Sequence, residues 1–346
     1  MVPRGRGVRE EGAGIVAARR AGLVRFRGDV YGCFRRRADA MFELVDAVLE
    51  ADGPVESLVE LSVQGVFRRG HGALYDALAC GDIDVERLAR VIASVWEPAD
   101  EGPLKFAVDV SSWLRPDAQT SPGRTFCHVP GRSGAVPGWA YSVVVGLEWG
   151  AASWSAPPGA RRIEAADDAT ALTVAQVGAV LARLGPGAWA GRAAPVFAFD
   201  AGYDLTRIAY LTGQDALDVQ ILGRIRSDRV YFGDPAVLPG SGRPRRHGAR
   251  FACADPATWP QPDERLEGSS PRHGRVEVTA WHALHQQVDR AGGWERFTGQ
   301  LPVVPGTVIR IKVERLPGDR APEDVWLWHH VPEGTAFDLD LLWKTY

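Results

Sequence analysis

Two aspartates stand in runs that otherwise read as buried strands. Asp109 lies inside FAVDVSSW (106–113), and Asp200 closes APVFAFD (194–200). A carboxylate in such a place is costly unless something pairs with it. If the fold brings the two strands side by side, the acids repel each other unless a divalent cation neutralises them. An oxygen-only donor set of this kind suits Mg²⁺ or Mn²⁺. Two such ions about 3.5–4 Å apart can activate a water and stabilise the leaving oxygen of a phosphodiester. Other roles suit the same residues. A lone aspartate in a strand also suits a solvent-facing edge, and Asp200 could cap a following helix or yield the metal to Asp204 in DAGYD.

The remaining candidates are weaker. His282 and His285 in WHALH have i, i+3 spacing, which on a helix could suit a metal, but no cysteine or further histidine lies nearby in the sequence. Cys33, Cys80, Cys127 and Cys253 are far apart and form no CxxC, so buried free thiols are expected rather than a disulfide framework or zinc ribbon. A formal net charge of −3 does not advertise a nucleic-acid binder, yet the cations cluster. Arg35, Arg36 and Arg37 are consecutive, Arg68, Arg69 and His71 flank a glycine turn, and RPRRHGAR (243–250) holds Arg245, Arg246 and His247. These suit phosphate contacts, and equally a solvated surface.

The elements that must position the acids follow from pattern. With 346 residues, 45% apolar and 24% charged, the chain has an ordinary globular composition. Its apolar runs are shorter than the ~18 residues a membrane span needs, and MVPRGRGVREEGAG lacks the apolar stretch of a secretory signal, so a cytosolic protein is expected. Residues 1–22 have no usable periodicity and are expected to be disordered. Residues 23–100 read as helical, through ADAMFELVDAVLEA, VESLVELSVQGVF and DIDVERLARVIASVW, with RRGHGALYDAL as a turn and WEPADEGP as a linker. From 104 to 223 the order is β-β-β-α-β-α-β, the pattern of an α/β mixed sheet with crossovers. Residues 224–320 lose the rhythm and predict a β-rich insertion with few clear strands, GTVIRIKVERL among them. At 321–346 VWLWHHV and FDLDLLWKTY read as a strand and the start of a helix.

Several blocks together are specific. VDVSSW, PGWAYS, FDAGYD, LGRIRSDRVYF and GRPRRHG, with RADAMFELVDAVL and RRGHGALYDAL upstream, resemble the DDE transposases of bacterial insertion sequences, most closely an actinobacterial group. The likeness runs from about residue 25 to the last residue. It implies an α/β fold: an RNase H-like mixed sheet with flanking helices, interrupted by a β-rich insertion and preceded by an α-helical, DNA-binding N-terminal region. It also implies that Asp109 is the first catalytic acid and that Asp200, with Gly202 and Tyr203 in a D-x-G-[FY] motif, is the second. Two Mg²⁺ or Mn²⁺ ions, double-stranded DNA at element ends and target, and action in the bacterial cytoplasm or on the nucleoid follow. A homodimer on DNA is an option the family leaves open.

The third acid is where the pattern departs. In the transposases this chain resembles, the final helix carries a Tyr-Arg-Glu-Lys pattern, and Tyr346 aligns with its tyrosine. The glutamate would then fall beyond the sequence, which leads to the expectation of a truncated final helix and a chain that binds DNA without cutting it. Glu314, Glu323 and Glu333 lack the helical setting of that glutamate. An RNase H-like nuclease or scaffold unrelated to transposition is the alternative reading, since one fold hosts many functions.

Overall fold

The computed structural model describes residues 7–96, 98, 101–128, 134–147, 156–235, 245–317 and 321–346. They form two compact units, Met1–Glu97 and Pro98–Tyr346.

The first unit is mainly helical. It contains α1 (Gly7–Tyr31), β1 (Phe34–Arg36), α2 (Ala38–Glu50), α3 (Leu58–Ser62), α4 (Gly72–Cys80), β2 (Asp82–Ile83) and α5 (Val85–Val95). α2 has apolar residues three and four apart, and it buries Met41, Leu44 and Ala47 against Leu61, Phe67, Leu74 and Ala77. Three expectations are corrected. The leader expected to be disordered is helical from Gly7 onward, because Ala, Glu and Arg favour a helix without needing an apolar stripe. The helix expected over VESLVELSVQGVF covers only Leu58–Ser62, opened by the Ser57 side chain accepting from the Glu60 amide at 3.3 Å. The expected turn at RRGHGALYDAL continues into α4, where the buried Leu74 and Ala77 outweigh the glycines before them. Residues 97, 99 and 100 of the expected linker lie outside the described residues.

In the second unit the chain runs β3 (Lys105–Leu114), β4 (Thr125–His128), β5 (Ala135–Gly146), β6 (Ala156–Ile163), α6 (Ala169–Leu184), β7 (Val196–Phe199), α7 (Leu205–Gln214) and β8 (Gln220–Ile225). It continues through β9 (Val230–Phe232), β10 (Arg250–Ala252), β11 (Glu264–Ser270), β12 (Gly274–Leu284), β13 (Gly306–Val313), β14 (Val325–His330) and α8 (Leu339–Thr345). A ten-stranded sheet has the order β11-β12-β13-β14-β8-β7-β3-β5-β4, with β6 also on β5. Within it, β5 runs antiparallel to both β3 and β6, while β7 and β8 follow parallel to β3 after the crossovers α6 and α7. That is the RNase H-like mixed α/β arrangement expected from the sequence.

The insertion is corrected in one respect. It does not stand apart from the core, because β14 pairs with β8 and carries β13, β12 and β11 on the same sheet. The reason is chemical. Val276, Val278, Ala280, Ile309, Ile311 and Leu327 make a second apolar face that packs with the core residues Val196 and Leu222 and under Leu339 and Leu342 of α8. On the other side, Phe251 and Trp259 lie against Trp281 and Trp326, with the Arg310 guanidinium 5.0 Å from the Trp259 ring centre.

α6 and α7 are joined at their starts. Asp168 caps α6 by accepting from the Ala171 amide at 3.1 Å, and it also binds Arg207 of α7 through both carboxylate oxygens. Arg207, together with the cap, holds the Asp168 carboxyl down at about 2. A depressed carboxyl stabilises the fold above its unfolded value, and that stabilisation is lost as pH falls from about 4 towards 2. Asp168→Asn keeps the capping oxygen but loses the charge. It should flatten this acid limb of the urea-midpoint profile and lower the midpoint at neutral pH by the equivalent of roughly 1 kcal/mol.

Candidate active site

The site grows out of strand register. β3 and β7 are parallel neighbours with Val108 opposite Phe199, so Asp109 and Asp200 are the next residue on each. β8 continues the row, with Gly223 opposite Phe199 and Arg224 following. Side chains alternate along strands, so Asp109, Asp200 and Arg224 emerge on one side at the carboxyl end of the parallel pairing between β3, β7 and β8, with β3 itself running on to Leu114. Ligands of open α/β sheets bind at such ends. The opposite side is closed: Phe106, Val108, Phe197 and Phe199 are buried, and Phe106 stacks on Phe197 at 4.7 Å. A Cβ at Gly223 would come 2.4 Å from Leu205, so this residue must be small for α7 to lie against β8.

Both aspartates are exposed, and each makes one local hydrogen bond. Asp109 Oδ1 accepts from the Val110 amide at 2.7 Å, and Asp200 Oδ1 accepts from the Gly202 amide at 2.9 Å. Two groups connect them. Burial pushes the Tyr203 phenol up, and the Asp109 and Asp200 carboxylates push it further, so its ring sits within the field of both acids. The Tyr203 hydroxyl is buried without a hydrogen-bond partner among the described residues, and its ring lies 5.1 Å from that of Phe199. Tyr346, after α8, is also raised, by burial first; Arg224 opposes the shift and Asp200 adds to it. The end of α8 therefore lies beside the Asp200–Arg224 part of the row.

The other expected site residues divide clearly. Asp204 is the α7 cap: its Oδ1 accepts from the Arg207 amide at 3.0 Å and its Oδ2 from Trp294 Nε1 at 3.1 Å. Those bonds occupy the carboxylate that the sequence offered as an alternative metal ligand. His282 and His285 are not on a helix. They lie at the end of β12 and just beyond it, past a register shift, and their rings face different partners: His282 meets Thr307 and Glu264, whereas His285 Nε2 lies 2.8 Å from His247 Nδ1. Burial, then His247, lowers the His285 basicity. Among the described residues, no group of three or more His, Cys, Asp or Glu could hold a metal.

The basic clusters are largely neutralised where they stand. Arg35 pairs with Asp84 at 2.7 Å, Arg37 with Asp76 at 3.0 Å, and Arg69 with Asp39 and Glu43 at 3.3 Å. His71 stands edge-on to Tyr75. Arg246 donates to the Leu301 carbonyl. Arg36, Arg68 and Arg245 have no acid partner among the described residues; residues 243 and 244 of RPRRHGAR lie outside them. Sequence reasoning missed Arg224 and the Tyr203 hydroxyl as members of the row. The available signal was a cation inside the otherwise apolar QILGRI, the same anomaly that marked Asp109.

A family model described as DDE superfamily endonuclease matches residues 29–287. The chain belongs to the DDE superfamily endonucleases. In this family setting Asp109 and Asp200 are the acids that the strand register brings together. No curated protein sequence matches the chain. Among solved structures, it is similar to the piggyBac transposase in a cryo-EM synaptic complex with hairpin DNA, at 10% identity and a TM-score of 0.41. That likeness covers 88% of this chain and 53% of the transposase, so this chain spans about half the length of that relative. Among the described residues, no helix is long and apolar enough to cross a membrane.

Proposed function

We propose that this DDE endonuclease is a transposase of an insertion sequence, cutting one DNA strand at an element end and joining the freed 3′ end to a target. The observation that carries the reading is the adjacent, in-register placement of Asp109 and Asp200 just past the last paired residues of β3 and β7. The donor set fits Mg²⁺ or Mn²⁺: two exposed hard carboxylates, each with one oxygen on a local amide and the other without a protein partner among the described residues. When bound, such ions supply Lewis-acid stabilisation of the leaving oxygen and a more acidic attacking water.

The residues of the chain do the rest. Asp109 and Asp200 hold the charge at a fixed spacing because both follow paired strand positions. Arg224 offers a planar, permanently charged donor to a phosphate beside them. The Tyr203 ring backs the pair and keeps water from behind it. Phosphate contacts come from the cations without acid partners, Arg36 and Arg68 in one unit and Arg245 in the other. Double-stranded element ends are the partner, a homodimer on DNA is an option, and the cytoplasm is the setting.

A DDE site needs a third carboxylate, and the acids weighed for that role are otherwise placed. Glu314 accepts from the Arg275 amide at 2.8 Å, while Glu323 and Glu333 are exposed in loops. The chain should bind Mn²⁺, seen as loss of the free-ion EPR signal, and Mg²⁺-dependent nicking of element-end DNA should be lost in Asp109→Ala. Failure to bind Mn²⁺ at millimolar concentration would overturn the metal assignment.

A further inference from the structure

The side of the sheet that carries Asp109 stays open beyond it. β3 pairs with β5 without a register shift from Phe106↔Gly146 to Leu114↔Gly138. Asp109, Ser111 and Trp113 therefore share one side, opposite Val143, Tyr141 and Trp139. β4 adds Phe126, opposite Pro137, and β6 adds Arg162, opposite Tyr141. The other side of these strands is covered by α6, whose Gln176 donates to the Ser142 carbonyl at 3.0 Å. α8 lies on the open side, but over the far strands, where Leu339 and Leu342 join Val276 to Ala280. Trp113 is 58% exposed and Phe126 73% exposed.

These rings are built in rather than loose. Trp113 and Trp139 are cross-strand partners with ring centres 5.9 Å apart, and Trp139 Nε1 donates to the Pro122 carbonyl at 3.3 Å. Arg162 also donates to the Pro122 and Gly123 carbonyls, and Arg124 donates to those of Arg115 and Pro116 at 2.8 and 3.0 Å. Both guanidinium groups bond to carbonyl oxygens and form no ion pair among the described residues, although Asp117 lies within the field of Arg124. The result is a rigid aromatic surface edged by two guanidinium groups. It continues from a carboxylate pair along the same side of the same strand.

We propose that this surface is a stacking platform for unpaired nucleotides of the DNA strand held at the Asp109–Asp200 pair, with Trp113 and Phe126 as its exposed rings. The assignment rests on the nuclease reading above. Four residues of strand separate Asp109 from Trp113, about 13 Å at ~3.3 Å per residue. That span matches about four stacked bases at ~3.4 Å each. Flat aromatic faces accept any base, and arginines beside them take the phosphates, so the platform recognises an unpaired strand rather than a sequence.

Fluorescence anisotropy of the 346-residue chain with labelled DNA tests this, using a duplex with a 3′ oligo-dT tail and the same duplex made blunt. The tailed duplex should bind at least about tenfold more tightly than the blunt one. Trp113→Ala combined with Phe126→Ala should remove that preference and leave blunt-duplex affinity unchanged, while Trp113→Phe combined with Phe126→Tyr should retain it. Equal preference in the alanine variant and the wild type would overturn the platform. So would a wild-type dimer that the alanine variant converts to monomer in sedimentation, since the face would then belong to a second copy. Mn²⁺ binding, measured on the same preparations, separates the two readings: its loss in the wild type sinks the nuclease assignment, whereas Mn²⁺ binding without tail preference sinks only the platform.

Discussion

Asp109→Asn and Asp200→Asn should each lower Mg²⁺-dependent strand cleavage by on the order of 10³-fold or more, and should each abolish Mn²⁺ binding. The amide keeps the size of the side chain and the oxygen that accepts from Val110 or Gly202, so the local turn survives. What it removes is one of two negative charges that face each other across β3 and β7, and with it the charge a divalent ion needs. Asp204→Asn is the informative companion. Its oxygens serve the Arg207 amide and Trp294 Nε1, so this change should soften the start of α7 and leave Mn²⁺ affinity within about twofold. If Asp204→Asn abolished Mn²⁺ binding and Asp200→Asn did not, the second ligand would be misassigned. Circular dichroism on each variant separates loss of a ligand from loss of the fold.

The second large effect is structural. Phe197→Ala should destabilise the second unit by about 3–5 kcal/mol, read as a fall of roughly 10 °C in the melting midpoint. Phe197 is fully buried on β7, stacks on Phe106 of β3, and belongs to the layer that α6 and α7 cover. Removing the ring leaves a cavity between two parallel strands that lead, three residues on, to Asp109 and Asp200. Mn²⁺ affinity should therefore fall together with stability in this variant. A Phe197→Leu substitution, which refills most of the space, should recover much of both. Unchanged stability in Phe197→Ala would mean that the strand pairing does not depend on that layer.

Much of the site was legible because it rests on local anomalies. An acid inside FAVDV and another closing VFAF stand out against apolar neighbours, and α6 between them carries a clear cap in Asp168. Asp204 shows the limit of such reading: in sequence DAGYD offers two carboxylates, and only the fold shows one of them engaged as a cap. WHALH misled for a related reason. Its spacing suits a helix, yet it lies at a bulge at the end of β12, where a shift in register sends the two rings apart. The insertion was hidden because its strands find partners far along the chain. β14 reaches back to β8, and nothing near residue 325 in the sequence announces that pairing. α1 went unseen for the opposite reason: its described side chains are mostly exposed, and an unburied helix leaves no apolar period to read.

The pairing of β14 with β8 also has a consequence for motion. β14 has a hydrogen-bonded neighbour on each side, and Trp326, Leu327, Trp328 and His329 along it are buried. The insertion is thus welded to the strand that bears Arg224, with no hinge between them in the sheet. Amide protons of β14 and β8 should exchange together, at the rate of the most protected part of the unit, and those of the edge strand β11 sooner. An insertion attached in this way cannot swing over DNA like a flap. Whatever it contributes to holding a substrate, it must do as a fixed wall.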